Sequence, residues 1–244
     1  MKQNKYDDLG FFEKYSQMPR SVGGLNAAGE WSALRAMLPE LRDKRVLDLG
    51  CGFGWHCRYA REQQARSVVG VDLSEKMLTQ ARDYTNDSAI EYRRLAIEDI
   101  EFQAGEFDVV LSSLALHYVD QFDVVCRKVH QYLVTGGTFV LSVEHPIFTA
   151  HAAQDWHYGA QGERLHWPVD NYQDEGFRQT QFLDHDVVKY HRTIANYMNT
   201  LINAGFRMKE ISEPQPAQEI LAMSSEMRDE LRRPMFLIIA AVKE

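Results

Sequence analysis

The stretch Val46-Leu47-Asp48-Leu49-Gly50-Cys51-Gly52-Phe53-Gly54 decides how this chain folds. A short apolar run gives way to glycines at alternate positions, and a helical pattern opens at Trp55. Glycine lets the backbone turn tightly and approach a ligand that any β-carbon would displace. In an open α/β sheet the crevice beyond the strand ends is where ligands bind. A dinucleotide loop reads GxGxxG, with a later acidic residue on the ribose. Here the glycines run GxGxG, and Trp55 stands where the third dinucleotide glycine would fall. Asp48, at the strand end, would repel a pyrophosphate and attract an ammonium. The loop therefore favours a cationic ligand over a nicotinamide dinucleotide. Asp72 closes the next apolar run, Val69-Gly70-Val71, where a carboxylate can accept from both hydroxyls of a ribose.

Outward from this loop, strands and helices alternate. Strands are expected over 44–49, 67–72, 90–95, 107–112 and 138–144, with helices over 55–64, 74–84 and 121–133. Ser74 is suited to cap the second of these helices. Such alternation implies parallel pairing through right-handed crossovers, hence a doubly wound α/β sheet. Residues 1–25 read as a polar, glycine-punctuated arm or lid, and a helix is expected over 26–38. Residues 145–185 have no sustained period and read as a substrate-facing insertion, too long for an ordinary connection. Helical spacing returns at Val187, Tyr190, Ile194, Tyr197 and Leu201. Two closing strands, 207–212 and 235–242, flank a short helix near 217–232. All of this fits a single domain.

Composition narrows the partners. Of 244 residues 45% are hydrophobic, enough for a substantial core. The net charge of −8, with no basic run, argues against nucleic acid as substrate. Three cysteines without a CxxC pair suit free thiols in a reducing cytoplasm. No signal-peptide pattern and no long apolar span are present, so no membrane role is expected.

The runs VLDLGCGFG, GVDLSEKML, FDVVLSSLALHYV and LVTGGTFVLSVEHP resemble the class I S-adenosylmethionine-dependent methyltransferases, and more narrowly their small-molecule type 11 group. The resemblance covers about residues 44–145. It implies a seven-stranded, mostly parallel sheet with a reversed last strand. It implies methyl transfer from S-adenosyl-L-methionine, leaving S-adenosyl-L-homocysteine. Carried over by residue, it places Gly50, Cys51 and Gly52 at the methionine end with Asp48 beneath, and Asp72 on the ribose. Leu73 and Met77 would lie against the adenine, with Ile97 and Glu98 in the loop that holds it. Ser112, Ser113 and Leu114 would face the methionine ammonium. The chain departs from the pattern at Ala96, where many relatives place an aspartate on the adenine amino group.

Methyl transfer from a sulfonium needs alignment above all, and a base only where the acceptor must lose a proton. His145 and His117 stand just after strand ends and are the candidate bases, His145 preferred; the alternative is that each only packs or orders its loop. Trp156, His157, Trp167, Tyr172 and Phe177, with Tyr190, His191 and Arg192, could wall an acceptor pocket or merely cap the sheet. Arg20 could meet the methionine carboxylate or lie on a solvated arm. His151, His157 and His166 match no familiar ligand spacing, so no metal is expected. The fourth strand lacks the [DN]PP[YF] ending of enzymes that methylate DNA bases. The expected acceptor is a small molecule. Rival readings are a sensor that binds the cofactor without turnover and, less favoured, a nicotinamide-dependent oxidoreductase.

Overall fold

Residues 3–216, 221 and 228–244 are described by a computed structural model of the chain. The N-terminal segment carries α1 (Leu9–Ser16), α2 (Pro19–Val22) and α3 (Trp31–Met37). The alternating region follows as β1 (Arg45–Leu49), α4 (Trp55–Glu62), β2 (Ser67–Asp72), α5 (Glu75–Asp83), β3 (Ile90–Arg94), β4 (Phe107–Ser113), α6 (Phe122–Tyr132) and β5 (Leu133–Glu144). After β5 come α7 (Pro146–Thr149), β6 (His157–Tyr158), β7 (Arg164–His166), β8 (Gly176–Phe182), β9 (His185–His191) and α8 (Ile194–Asn203). The chain closes with β10 (Phe206–Ser212) and β11 (Phe236–Lys243).

Seven strands form one sheet in the order β10-β11-β5-β4-β1-β2-β3. All pair in parallel except β11, which runs antiparallel to both neighbours. This is the doubly wound, mostly parallel sheet with a reversed last strand. Successive side chains of a strand point to opposite faces, and here both faces are covered. Leu47, Leu49, Val110 and Phe139 pack with α6 and α8, while Val46, Val68 and Val109 pack with α4 and α5, and Leu111 and Val140 with α3. Strand order reverses between β1 and β4, so the loops leaving those two strands open a crevice.

Several elements differ from their sequence signal for identifiable reasons. The arm is not featureless: Asp8 caps α1 by accepting from the Phe11 amide. The stretch 145–185 contains α7, the short β6–β7 pair and β8, which pairs only with β9. Val187 and Tyr190 lie in β9 rather than in a helix; Thr193, whose side chain accepts from the Asn196 amide, starts α8. Along β9 the buried positions are Val187, Lys189 and His191. Two of those three side chains are polar, so a true period of two was hidden from hydrophobicity. The helix expected near 217–232 falls largely outside the described residues; within them, Glu230–Arg232 forms a 3-10 turn.

Gly54 caps α4 in the left-handed region, at φ 71°, and a β-carbon there would sit 2.1 Å from the Tyr92 hydroxyl. Gly54→Ala should therefore cost about 2–4 kcal/mol, the sum of left-handed strain and overpacking. Urea unfolding measures this, and a loss below about 1 kcal/mol would show that Tyr92 yields freely.

Candidate functional site

At the end of β1 the amides of Gly50 and Cys51 both donate to the Val71 carbonyl at 2.9 Å, folding the glycine turn against β2. A β-carbon on Gly50 would lie 2.4 Å from that of Ala115, in the loop after β4. The Gly52 amide donates to Asp72 Oδ2 at 2.9 Å, and the Ser74 amide to Oδ1 at 2.9 Å. A carboxylate offers about four acceptor positions, so Asp72 keeps one per oxygen for a diol. Burial raises its pKa, opposed by those two amides.

Gly50, Gly52, Asp72 and Ala115 line a cavity of about 880 Å³. Of the expected cofactor residues, Arg20, Gly50, Gly52, Asp72, Leu73, Met77, Ile97, Glu98, Ser113 and Leu114 line it. Leu114 holds a left-handed φ of 51°, and its amide donates to the Ser142 carbonyl at 2.9 Å. Arg20 is tied to the buried Glu30 by an ion pair of 2.7 Å, so its guanidinium is fixed at the cavity wall. Asp48 and Cys51 are not in the wall. Asp48 is buried on the α4 side, where the Cys57 thiol donates to Oδ2 at 3.3 Å and Oδ1 has no partner. Burial pushes its pKa up to about 7, with the charge of Asp72 adding to the effect. A cradle that a β-carbon would fill and a buried carboxylate short of a partner suit a cationic adenosyl ligand.

The other end of the cavity holds a buried polar cluster. Lys189 of β9, 2% exposed, donates to Glu144 Oε1 at 2.6 Å and to Gln154 Oε1 at 2.9 Å. Gln154 Nε2 donates to Glu144 Oε2 at 3.1 Å, and Thr180 Oγ1 donates to Gln154 Oε1 at 3.1 Å. His117 Nδ1 accepts from the Glu144 amide at 3.4 Å, while its Nε2 lies 4.0 Å from Glu144 Oε1. Burial lowers the His117 pKa to about 4, so the ring is neutral near pH 7. Burial raises the Glu144 pKa, but the facing His117 and Lys189 outweigh it and the net shift is downward.

Residues 47–141 match the model of a methyltransferase domain. Two solved structures superpose with a TM-score of 0.84 each. A candidate S-adenosylmethionine-dependent methyltransferase from Listeria monocytogenes is 51% identical, over 89% of this chain and 99% of its own. The S-adenosylmethionine-dependent methyltransferase from Mesorhizobium loti is 47% identical, over 90% and 100%. The chain is a class I S-adenosylmethionine-dependent methyltransferase. An uncharacterized Haemophilus influenzae protein is also similar, 35% identical over 98% of the methyltransferase and 96% of its own length. Shorter matches reach a malonyl-[acyl-carrier protein] O-methyltransferase from Enterobacter lignolyticus (45% of this chain, 43% of that one) and a tRNA U34 carboxymethyltransferase from Alcanivorax borkumensis (36% and 29%). The methyltransferase thus spans under half of those two relatives, and the shared stretch leaves the acceptor open.

The preferred histidine needs correction. His145 is fully buried, does not line the cavity, caps α7 by accepting from the Ile147 amide, and meets Glu213 at 2.8 Å. Pro146 at the first helical position makes that capping role natural. His117 is the histidine in the wall. Of the aromatic residues read from the insertion and after it, Phe177 and Tyr190 line the cavity. Trp156 and Trp167 instead pack around Arg233, whose guanidinium lies 5.3 and 4.0 Å from their rings. Arg192 donates to the Val119 and Asp120 carbonyls, and His191 meets Thr149 and the Tyr172 carbonyl. Among the described residues no group of three His, Cys, Asp or Glu could hold a metal ion, and no helix is long and apolar enough to cross a membrane. Glu144, Gln154 and Lys189 were missed by sequence reasoning; a lysine alternating with apolar residues was the available signal.

Removing the Asp72 carboxylate should weaken S-adenosylmethionine binding by about 1–3 kcal/mol in calorimetry. Unchanged affinity in folded Asp72→Ala would take the residue out of the site. The folded pKa of Asp48 lies above its unfolded value, so the ligand-free protein loses this stability contribution as pH rises through about 7. A cation bound nearby favours the ionised form. Cofactor affinity should therefore rise between about pH 6 and 7.5, by at most about tenfold per unit, and flatten in Asp48→Asn. A flat wild-type profile would uncouple Asp48 from the ligand.

Proposed function

We propose that the methyltransferase acts on a small-molecule acceptor held at the Glu144 end of the cavity. The observation that carries this reading is a roof over that end. Gln3 exchanges hydrogen bonds with the backbone of Val188, accepting from its amide at 2.7 Å. Lys14 pairs with Asp184 at 2.7 Å, and Phe11 packs edge-on against Phe182. The N-terminal arm and the β8–β9 hairpin thereby close over the space beyond the cofactor residues, which favours an acceptor that fits inside. The net charge of −8 supports the same view against a polyanion. The three cysteines are free and buried, consistent with a reducing, cytoplasmic setting.

When bound, S-adenosylmethionine supplies a methyl group on a positively charged sulfur. Asp72 holds the ribose diol and keeps the Gly52 amide aligned. The bare backbone of Gly50 and Gly52 lets the methionine end approach β1, with Asp48 countering its positive charge from behind. Leu73 and Met77 pack against the adenine, beside Ile97 and Glu98. Arg20 pairs with the methionine carboxylate, and the backbone at Ser113 and Leu114 faces the ammonium. His117 is a positioning residue. Its Nδ1 accepts from the Glu144 amide, which leaves the proton on Nε2, toward the carboxylate. The arm and the hairpin exclude water from the transfer.

A labelled methyl group tests this reading. With methyl-labelled S-adenosylmethionine and whole cell extract, label should appear in a low-molecular-weight product that separates chromatographically from the cofactor itself. Label confined to protein or nucleic acid would contradict it.

A further inference from the structure

Taking a lysine and a glutamate out of water costs several kcal/mol each, and well-packed apolar residues often replace such pairs without loss. Yet Lys189 and Glu144 are kept in a cavity wall whose neighbours include Phe148, Phe177, Phe182 and Tyr190. The cluster around the pair has a definite polarity. Gln154 Oε1 accepts from both Lys189 and Thr180, so its amide nitrogen must face Glu144. Lys189 spends two of its three protons, on Glu144 and Gln154, and its Nζ also stands 5.5 Å from the centre of the Phe182 ring in the cavity wall. Glu144 receives Lys189 on one oxygen and Gln154 on the other, leaving acceptor positions on both. One donor and one acceptor therefore stand side by side at the cavity. The pair is neutral as a unit.

An ammonium offers only donors and a carboxylate only acceptors. A hydroxyl offers one of each, and the aromatic walls favour a ring to carry it. We infer that Glu144 and Lys189 are the acceptor subsite and select a phenolic hydroxyl, which donates to the Glu144 carboxylate and accepts from the Lys189 ammonium. This rests on the reading that a small acceptor enters this cavity. In the reaction the hydroxyl oxygen forms a bond to the methyl carbon as the carbon–sulfur bond breaks, and sulfur keeps that electron pair. The oxygen becomes strongly acidic as its new bond forms, so its proton passes to Glu144 even though Lys189 holds that carboxyl low. No oxidant, metal or further reactant enters the balance. His117 and Gln154 keep the carboxylate oriented toward the hydroxyl.

Three probes of nearly equal size test this: 4-nitrophenol, 4-nitroaniline and nitrobenzene. Each is titrated by calorimetry, in mildly acidic buffer where 4-nitrophenol keeps its proton, into the whole protein saturated with S-adenosylhomocysteine. 4-Nitrophenol should bind at least about tenfold more tightly than the other two, since a site built for a hydroxyl leaves buried groups unpaired against its analogues. Lys189→Met and Glu144→Gln should each cut that preference to about threefold or less, with S-adenosylhomocysteine affinity unchanged. Equal binding of all three probes, or none while S-adenosylhomocysteine binds, would overturn the hydroxyl subsite. So would variants that weaken all three probes alike, the mark of a merely structural pair. The wild-type comparison stands even where a variant fails to fold. Failure to bind S-adenosylhomocysteine would instead strike the cofactor site on which the proposed function depends.

Discussion

The molecule is organised around the close approach of two backbones at the end of β1. Gly50 passes so near Ala115 that no side chain fits between them, and its amide and that of Cys51 share the Val71 carbonyl. That contact sets the glycine turn against both β2 and the loop after β4, the place where strand order reverses. From there the Gly52 amide reaches Asp72, and Asp72 in turn receives the Ser74 amide. One carboxylate thus joins the turn to the head of α5. The site's geometry follows from the sheet.

Charge at this turn is arranged at a cost. Asp48 is buried with one oxygen unpartnered, in a position where ionisation is opposed by burial and by Asp72. Structures accept such a group where something else compensates it. The sulfonium and ammonium of S-adenosylmethionine would do so, which would tie the uncompensated carboxylate to the proposed selectivity of the site. The Glu144 end of the cavity answers the same problem differently. There a lysine and a glutamate neutralise each other, and Gln154, Thr180 and His117 fix their remaining hydrogen-bonding directions.

How much was legible in the sequence follows from this contrast. The proposed cofactor half is built from local motifs: a strand, a glycine turn and an acidic residue at the next strand end, all within 46–72. Period and spacing reveal such features directly, and the strands from β1 to β4 fall within a residue of expectation. The proposed acceptor half is assembled from Glu144, Gln154, Thr180 and Lys189, which meet only once the hairpin folds onto the sheet. No local pattern announces a contact over 45 residues, as between Lys189 and Glu144. Burying Lys189 and His191 also disguised β9, since hydrophobicity reads such positions as exposed. His145 misled for a related reason: adjacency to a strand end is local, but the direction of its ring, set by capping α7, is not.

A crystal structure with S-adenosylhomocysteine shows most directly where the cofactor's product lies. Both ribose hydroxyls should lie on Asp72, the homocysteine end over Gly50 and Gly52, and the adenine beside Met77 and Ile97. Its sulfur should face the end of the cavity that holds Glu144 and Lys189. A ligand whose ribose leaves Asp72 untouched, or whose sulfur faces away from that pair, would contradict this placement.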